Sequence, residues 1–289
     1  ATPFVRPLEG IRAVTWSVYG TLLHIADGRL VLDHPQRVRM QIALEKTIQE
    51  FNVWQSMTRK PGEPWAQLYE QYQRDLAELR MQPAPQKGDV REVNAAEIWR
   101  RIIDRLRQKD YEYDAAFYGD ADALSEKVAY FFHAGLQGVE AAPHALDALA
   151  FVSESGRTQG LLADAQPFTL VQLLRVLRGQ GTLPPLGEVF TPNCLTLSFE
   201  HAACKPSRTL YRACLERLAS MGIGAEEVLH VGSRLRGDLA AAKSVGMRTA
   251  LYAGDSDSLE ATREDVRDPQ LRPDRLITDL AQIREVLAA

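Results

Sequence analysis

Hydrophobic residues follow two patterns along the chain, and the first consists of compact apolar runs separated by amphipathic segments. Uninterrupted apolar runs predict strands that are covered on both faces. Apolar residues spaced three or four positions apart predict helices, as at residues 170–177 and 210–218. Since strands and helices alternate, we predict a parallel, doubly wound sheet. The predicted strands lie at residues 11–16, 160–163, 189–190, 228–232, 249–252 and 276–277.

The second pattern occupies the region between the first two predicted strands and is entirely helical. Long amphipathic stripes cover residues 65–79, 98–106 and 124–132, and residues 83–85 and 109–114 have the composition of connectors. The sequence therefore predicts an all-α insertion. We expect a Rossmann-like α/β core at residues 1–25 and 138–289 and a helical cap at residues 26–137.

The composition indicates which kinds of binding partner and which cellular compartment to expect. The 289 residues include 34 basic and 38 acidic side chains, so the formal net charge is -4. No run of five like charges occurs, so we expect neither nucleic acid nor a membrane surface as the main partner. No apolar stretch approaches the roughly 20 residues needed to cross a bilayer, and the first twenty residues lack signal-peptide features. The three cysteines form no CxxC pair, and we expect reduced thiols in a cytoplasmic protein.

Polar residues follow several of the predicted strands, at the sheet edge where open parallel sheets bind ligands. The first strand leads into Ser-Val-Tyr-Gly-Thr-Leu at residues 17–22, and a Lys-Pro pair occupies residues 205–206. The strand at 228–232 is followed by Ser-Arg-Leu-Arg-Gly-Asp at residues 233–238. Ser17, Tyr19 and Lys205 are the candidate catalytic residues, and Ser233 and Asp238 are candidates for a metal position. The candidate anion-binding residues are Gly20, Thr21, Ala163, Asp164, Lys205 and Arg234.

In order and spacing, these motifs resemble those of the haloacid dehalogenase (HAD) superfamily, in the subgroup with a helical cap after the first motif. Residues 205–211 are similar to the third motif of the family, and residues 231–247 are similar to its fourth. The resemblance covers nearly the whole chain. It implies a hydrolase of the phosphatase or dehalogenase type.

The chain departs from the family pattern at the positions that the resemblance implies are reactive. Ser17 stands at the position of the aspartate nucleophile, and Ala163 at that of a Ser or Thr hydroxyl that holds the anionic group. Ser233 stands at the first acidic position of the fourth motif, which helps to bind Mg²⁺ in phosphatases. Lys205 and Asp238 match the family. Tyr19 replaces a general acid of many phosphatases, although Tyr-Gly-Thr is common in the dehalogenase branch, which works without a metal.

These replacements remove two carboxylates from the expected site. A serine hydroxyl needs a base, and no histidine stands at a reactive position of the motifs; we expect His230 to point away from the site. Mg²⁺ prefers carboxylate oxygens, so Asp238 with neutral oxygens should not hold it. We therefore expect no cofactor, although the resemblance implies Mg²⁺ for the family.

The resulting hypothesis is a degenerate, inactive or very weak member of this hydrolase family whose cleft binds a small anion or a partner protein. One alternative is an active hydrolase in which Ser17 attacks and a cap residue supplies the base. A second alternative is a structural or scaffolding protein. Lys205 either grips an anion or pairs with Asp238, and Arg234 and Arg236 either replace the charge of the metal or lie solvated at the surface. The ligand and the oligomeric state stay open.

Overall fold

The fold is built on a parallel sheet, as a computed structural model describing residues 2–57 and 62–288 shows. Six strands of the described residues form this sheet in the order β10-β9-β8-β1-β5-β6, and every neighbouring pair is parallel. The strands are β1 (Ala13–Trp16), β2 (Leu23–Ile25), β3 (Val90–Arg91), β4 (Val139–Ala141), β5 (Thr158–Ala163), β6 (Leu195–Leu197), β7 (Ala203–Cys204), β8 (Val228–Gly232), β9 (Arg248–Tyr252) and β10 (Arg275–Ile277).

Helices cover both faces of the sheet, which confirms the predicted doubly wound architecture. Val14 and Trp16 of β1 belong to the apolar cluster that includes Leu149 and Leu173, whereas Ala13 packs in the cluster of Leu210. All four residues of β1 are buried, Thr15 included, as expected for a strand that is covered on both faces. The helices outside the insertion are α6 (Ala145–Glu154), α7 (Thr169–Leu177), α8 (Leu186–Val189), α9 (Ser198–His201), α10 (Arg208–Ala219), α11 (Ala240–Ser244), α12 (Arg263–Arg267) and α13 (Ile283–Val286).

The predicted strand at residues 189–190 is wrong. Residue 189 ends the short helix α8, and the strand beside β5 is β6 instead. Val189 and Phe190 are apolar because both lie in the core, not because they belong to a sheet. β6 has three residues, with Thr196 between Leu195 and Leu197, so its apolar signal is weak.

The region between β2 and β4, which pair with each other as an antiparallel ribbon, is helical as predicted except for the two-residue strand β3, which pairs with β7. These helices are α1 (Arg37–Glu50), α2 (Pro64–Met81), α3 (Ala95–Arg107), α4 (Ala115–Tyr118) and α5 (Ala121–Leu136). The rings of Tyr72, Trp99 and Phe132 form their aromatic centre, with centroids 5.2 to 5.6 Å apart. The three amphipathic stripes correspond to α2, α3 and α5, and the residue limits of the two domains stay a prediction. In the described residues, no helix combines the length and apolarity that a membrane span needs.

Candidate functional site

The candidate site lies at the carboxyl ends of the central strands. Ser17 follows β1, Asp164 follows β5 and Ser233 follows β8. Lys205 follows β7, and Asp238 lies in a turn of π-helix (Leu235–Leu239) just beyond β8. Because β5, β1 and β8 are adjacent and parallel, their ends bring residues from distant parts of the chain together.

Three of these side chains form a closed, buried triangle of hydrogen bonds. The hydroxyl of Ser17 donates to Asp238 Oδ2 at 2.6 Å, and Lys205 Nζ donates to Ser17 Oγ at 2.6 Å. Lys205 Nζ also lies 2.7 Å from Asp238 Oδ2. Of the two alternatives for Lys205, the structure therefore has the ion pair with Asp238.

His230 is part of this cluster, so the expectation that it points away is wrong. The parallel register pairs His230 with Thr15, two residues before Ser17, and thereby places the three side chains on one face of the sheet. His230 Nδ1 lies 2.9 Å from Thr15 Oγ1. Its Nε2 lies 3.0 Å from Asp238 Oδ1, 3.2 Å from Lys205 Nζ and 3.4 Å from Ser17 Oγ.

Tyr211 completes the surroundings of Asp238 and was not among the predicted site residues. Its hydroxyl donates to Asp238 Oδ1 at 2.8 Å. The carboxylate thus accepts hydrogen bonds from Ser17, Lys205, His230 and Tyr211. The available sequence signal was the position of Tyr211 at the end of the motif at residues 205–211; the structure shows that it is fully buried on α10.

The charge states of the cluster follow from burial and pairing. Burial disfavours the charged form of Asp238, but Lys205, His230 and Arg234 outweigh it and hold the pKa of Asp238 well below its ordinary value. Burial lowers the pKa of His230, so its ring is neutral. Since a carboxylate only accepts hydrogen bonds, Nε2 of His230 carries the proton and Nδ1 accepts from the hydroxyl of Thr15.

Asp164 and Arg234, both predicted to bind an anion, instead pair with each other. Arg234 Nη2 donates to Asp164 Oδ2 at 2.6 Å, and the backbone N–H of Lys205 donates to Asp164 Oδ1 at 2.7 Å. Arg236 pairs with Asp265. Neither arginine is therefore simply solvated, and neither is a free cation.

The other predicted residues play local roles. The hydroxyl of Tyr19 donates to Gln172 Oε1 at 2.6 Å, and burial raises the pKa of Tyr19. Gly20 has a φ of +82°, and an added Cβ would overlap the side chains of Ser233 and Ser258. Ala163 and Thr21 are fully buried, and the hydroxyl of Thr21 has no hydrogen-bond partner in the described part of the chain.

A small cavity opens next to the triangle. Its volume is about 70 Å³, whereas ligand pockets typically hold about 300–1,000 Å³. Arg29, which the sequence analysis missed, is an exposed residue at the wall of this cavity. Within the described residues, its guanidinium has no acidic partner. Gly20, Thr21 and Ala163 do not line the cavity; its walls are Ser17, Val18, Tyr19, Gly28, Arg29, Leu30, Asp164, Lys205 and Arg234.

The residues at the family metal positions do not fit Mg²⁺. Ser17 and Ser233 offer neutral hydroxyls, so Asp238 is the single carboxylate among the three positions. Both oxygens of Asp238 already accept hydrogen bonds, and the ammonium of Lys205 lies 2.7 Å from one of them. A hard divalent cation would have to displace these donors and approach a buried positive charge.

Glu92, Asp164 and Cys204 also place ligand-type atoms within 4.8 Å of one another. Metal ligands must be deprotonated. Burial, together with neighbouring carboxylates, raises the pKa of Glu92 to about 7 and that of Cys204 to about 12. Both oxygens of Asp164 already accept hydrogen bonds, so a metal ion here would have to displace these donors as well as the protons of Glu92 and Cys204.

Comparison with known proteins agrees with the motifs. A family model described as HAD-hydrolase-like matches residues 202–283, and no curated protein matches the sequence. A 2-haloacid dehalogenase from Pseudomonas syringae is 22% identical with a TM-score of 0.56, over 96% of this chain and 98% of that one. A HAD phosphatase from Thermococcus onnurineus is 16% identical with a TM-score of 0.50, over 95% and 97%.

A third similar structure is the HAD-hydrolase YfnB from Bacillus subtilis, described as bound to magnesium. It is 17% identical with a TM-score of 0.49, over 96% of this chain and 99% of that one. The chain has the fold of the HAD-like superfamily, and its residues 202–283 match a model of that hydrolase family.

Proposed function

We propose that this chain is a HAD-like protein without metal-dependent phosphatase or dehalogenase activity, and that the mouth of its former active site binds a small anion without turning it over. The observation that carries the proposal is the closed triangle of Ser17, Lys205 and Asp238. Each of these three side chains makes a hydrogen bond or ion pair with the other two.

Ser17 has no effective base. Its proton points to Asp238, whose low pKa makes it a weak base. His230 donates its Nε2 proton to Asp238, so that nitrogen has no lone pair available for Ser17. Burial lowers the pKa of Lys205, but the carboxylate of Asp238 and the hydrogen bonds that Lys205 donates favour its protonated form.

The proposal includes no metal cofactor. Asp238, the single carboxylate at the family metal positions, is engaged by internal donors, and Lys205 supplies the positive charge beside it. We infer that this ammonium takes over the electrostatic role that a cation has in metal-dependent phosphatases.

Charge at the cavity favours an anion. Lys205 pairs with Asp238, and Arg234 pairs with Asp164, so these two pairs leave Arg29 as the uncompensated charge at the wall. A guanidinium binds carboxylate or phosphate oxygens through two parallel hydrogen bonds. The small volume limits the ligand to a few heavy atoms unless the cap moves.

Activity is tested with p-nitrophenyl phosphate and with 2-chloropropionate, each with and without MgCl₂, against Ser17→Ala as the control. We expect equal background rates for the two proteins. Magnesium-supported turnover that Ser17→Ala abolishes would refute the proposal.

Anion binding is tested by the thermal unfolding midpoint with phosphate, sulfate and acetate at constant ionic strength. We expect stabilisation that Arg29→Gln removes and that Arg178→Gln, a change at an exposed arginine on another part of the surface, leaves intact. If no anion shifts the wild-type midpoint, the structural alternative is favoured instead.

One observation favours a second candidate, an acyl-transfer enzyme. Lys205 Nζ lies 2.6 Å from Ser17 Oγ, and burial lowers the pKa of Lys205. Serine–lysine pairs of this kind serve as nucleophile and base in some hydrolases. In this candidate the base is Lys205 of the core, whereas the sequence alternative placed the base on a cap residue. A fluorophosphonate adduct on Ser17, lost in Lys205→Met, would establish this candidate and exclude the first.

A further inference from the structure

One segment of the insertion, more than 70 residues after Ser17, contacts the core directly. We call residues 89–95 the cap strap. Its strand β3 pairs antiparallel with β7 of the core. The N–H of Val90 donates to Ser207 Oγ at 2.7 Å, and the N–H of Ala95 donates to Gln166 Oε1 at 2.7 Å. The strap therefore links the insertion directly to the loops that follow β5 and β7.

The carboxyl group of Glu92 lies in the middle of this contact. Glu92 Oε2 is 2.6 Å from Ser198 Oγ. Ser198 Oγ also lies 3.1 Å from the carbonyl oxygen of Ala165 and accepts the N–H of Ala165 at 2.8 Å. A serine hydroxyl has one proton, so it cannot donate to Glu92 and to Ala165 at the same time.

A proton on Glu92 satisfies every atom in this chain. Glu92 then donates to Ser198 Oγ, and Ser198 donates to the carbonyl oxygen of Ala165. We propose that Glu92 is a proton-dependent clasp, protonated while the cap strap is docked on the core, and that losing the proton loosens the strap. This inference goes beyond the proposed function and does not depend on the chemistry of Ser17.

The charges around Glu92 act in the same direction. Burial and the Asp164 carboxylate together raise the pKa of Glu92 to about 7, against the opposing effect of its hydrogen bonds with Ser198 and the Val93 N–H. The other titratable group close by, the thiol of Cys204, is neutral at that pH. Arg234 neutralises Asp164 but donates no hydrogen bond to Glu92. Ionised Glu92 would be a second partly buried carboxylate beside Asp164, whose side chain is 24% exposed.

The sign of the effect follows from the direction of the shift. Glu92 binds its proton more tightly when the cap strap is docked than when it is open. Low pH therefore stabilises the docked state. Docking then weakens as the pH rises from the ordinary pKa of 4.5 towards about 7, and it is constant above that. With those two values, the opening constant of the strap increases about thirtyfold between pH 5.5 and 8.5.

Hydrogen exchange of the strap amides measures this opening. The N–H groups of Val90 and Ala95 report it because both donate to core side chains. In the wild type, their protection factors should fall at least tenfold between pH 5.5 and 8.5. In Glu92→Gln, a neutral analogue of the protonated acid, they should not change. Glu126→Gln, at an exposed position on α5, should keep the wild-type profile.

Two outcomes would overturn the proposal: constant protection factors in the wild type, or an equal fall in Glu92→Gln. A second test uses the wild-type protein alone and so does not depend on whether a variant folds. The carboxyl ¹³C resonance of Glu92 in the wild type should titrate with a midpoint near 7. A midpoint near 4.5 would show that the clasp is not protonated at neutral pH and would end the idea.

Discussion

The stability of the protein should depend strongly on the ion pair between Lys205 and Asp238. Asp238→Leu leaves a fully buried ammonium without a carboxylate and removes the acceptor of His230 and Tyr211. Breaking a buried pair by removing one partner costs about 3–5 kcal/mol. Each donor orphaned as well adds about 1–3 kcal/mol. We therefore expect a loss of at least about 5 kcal/mol in the free energy of unfolding.

Lys205→Met should cost less than Asp238→Leu. The carboxylate of Asp238 keeps three donors, Ser17, His230 and Tyr211, after the ammonium is gone. The loss should therefore lie near the lower end of the range, at about 3 kcal/mol.

The double variant distinguishes a true pair from two independent effects. When both charges are removed, neither is left buried without its partner, and the two apolar side chains can pack together. Lys205→Met with Asp238→Leu should therefore lose less than the sum of the single losses, by about 2 kcal/mol or more.

Urea unfolding at pH 7, followed by tryptophan fluorescence and circular dichroism, measures these free energies. Glu78 and Arg101 form a matched surface pair at 3.2 Å, with side chains 52% and 30% exposed. Their coupling, from Glu78→Gln and Arg101→Gln, should stay below about 1 kcal/mol. A coupling between Lys205 and Asp238 that is no larger than this surface value would refute the view that the triangle is a structural tie.

The central strands could be predicted because burial on both faces leaves compact, mostly apolar runs. Residues 228–232 are an example: they include His230, and all five are buried in β8. Residues 189–190 show that an apolar pair alone does not distinguish a strand from the end of a buried helix. Strand β6 was missed because its contribution to the sheet is three residues long and includes Thr196.

The site was predictable as a place but not as a network. The ends of the strands identified Ser17, Lys205 and Asp238, since parallel strands place their carboxyl ends at one edge. The role of His230 depends on the register between β1 and β8, which no local pattern reveals. Glu92 was missed for a related reason, because its partners Gln166 and Ser198 lie 74 and 106 residues away. Arg29 was missed because the cavity that it lines closes only when Asp164, Lys205 and Arg234 join the segments near residues 17–19 and 28–30.

Three further outcomes follow from the same geometry. Ser17→Asp combined with Ser233→Asp supplies the two missing carboxylates, so MgCl₂ should raise the thermal unfolding midpoint of this variant and not that of the wild type; equal responses would contradict our account of the metal positions. Gly28→Ala should cost at least 2 kcal/mol, roughly, in unfolding free energy, because Gly28 has a φ of +74° and an added Cβ would overlap a backbone carbonyl oxygen. Gly10→Ala, with a φ of +76° and open space around it, should cost clearly less, and equal losses would show that the close approach is unimportant. Burial lowers the pKa of His133 to about 4. The unfolded chain therefore takes up this proton first, and unfolding free energy should fall as the pH drops from about 6.5 to 4, by about 3 kcal/mol for this group alone. His133→Gln should flatten that slope in urea unfolding measured across the same range, because a neutral side chain has no proton to take up; an unchanged slope would mean that another group titrates there.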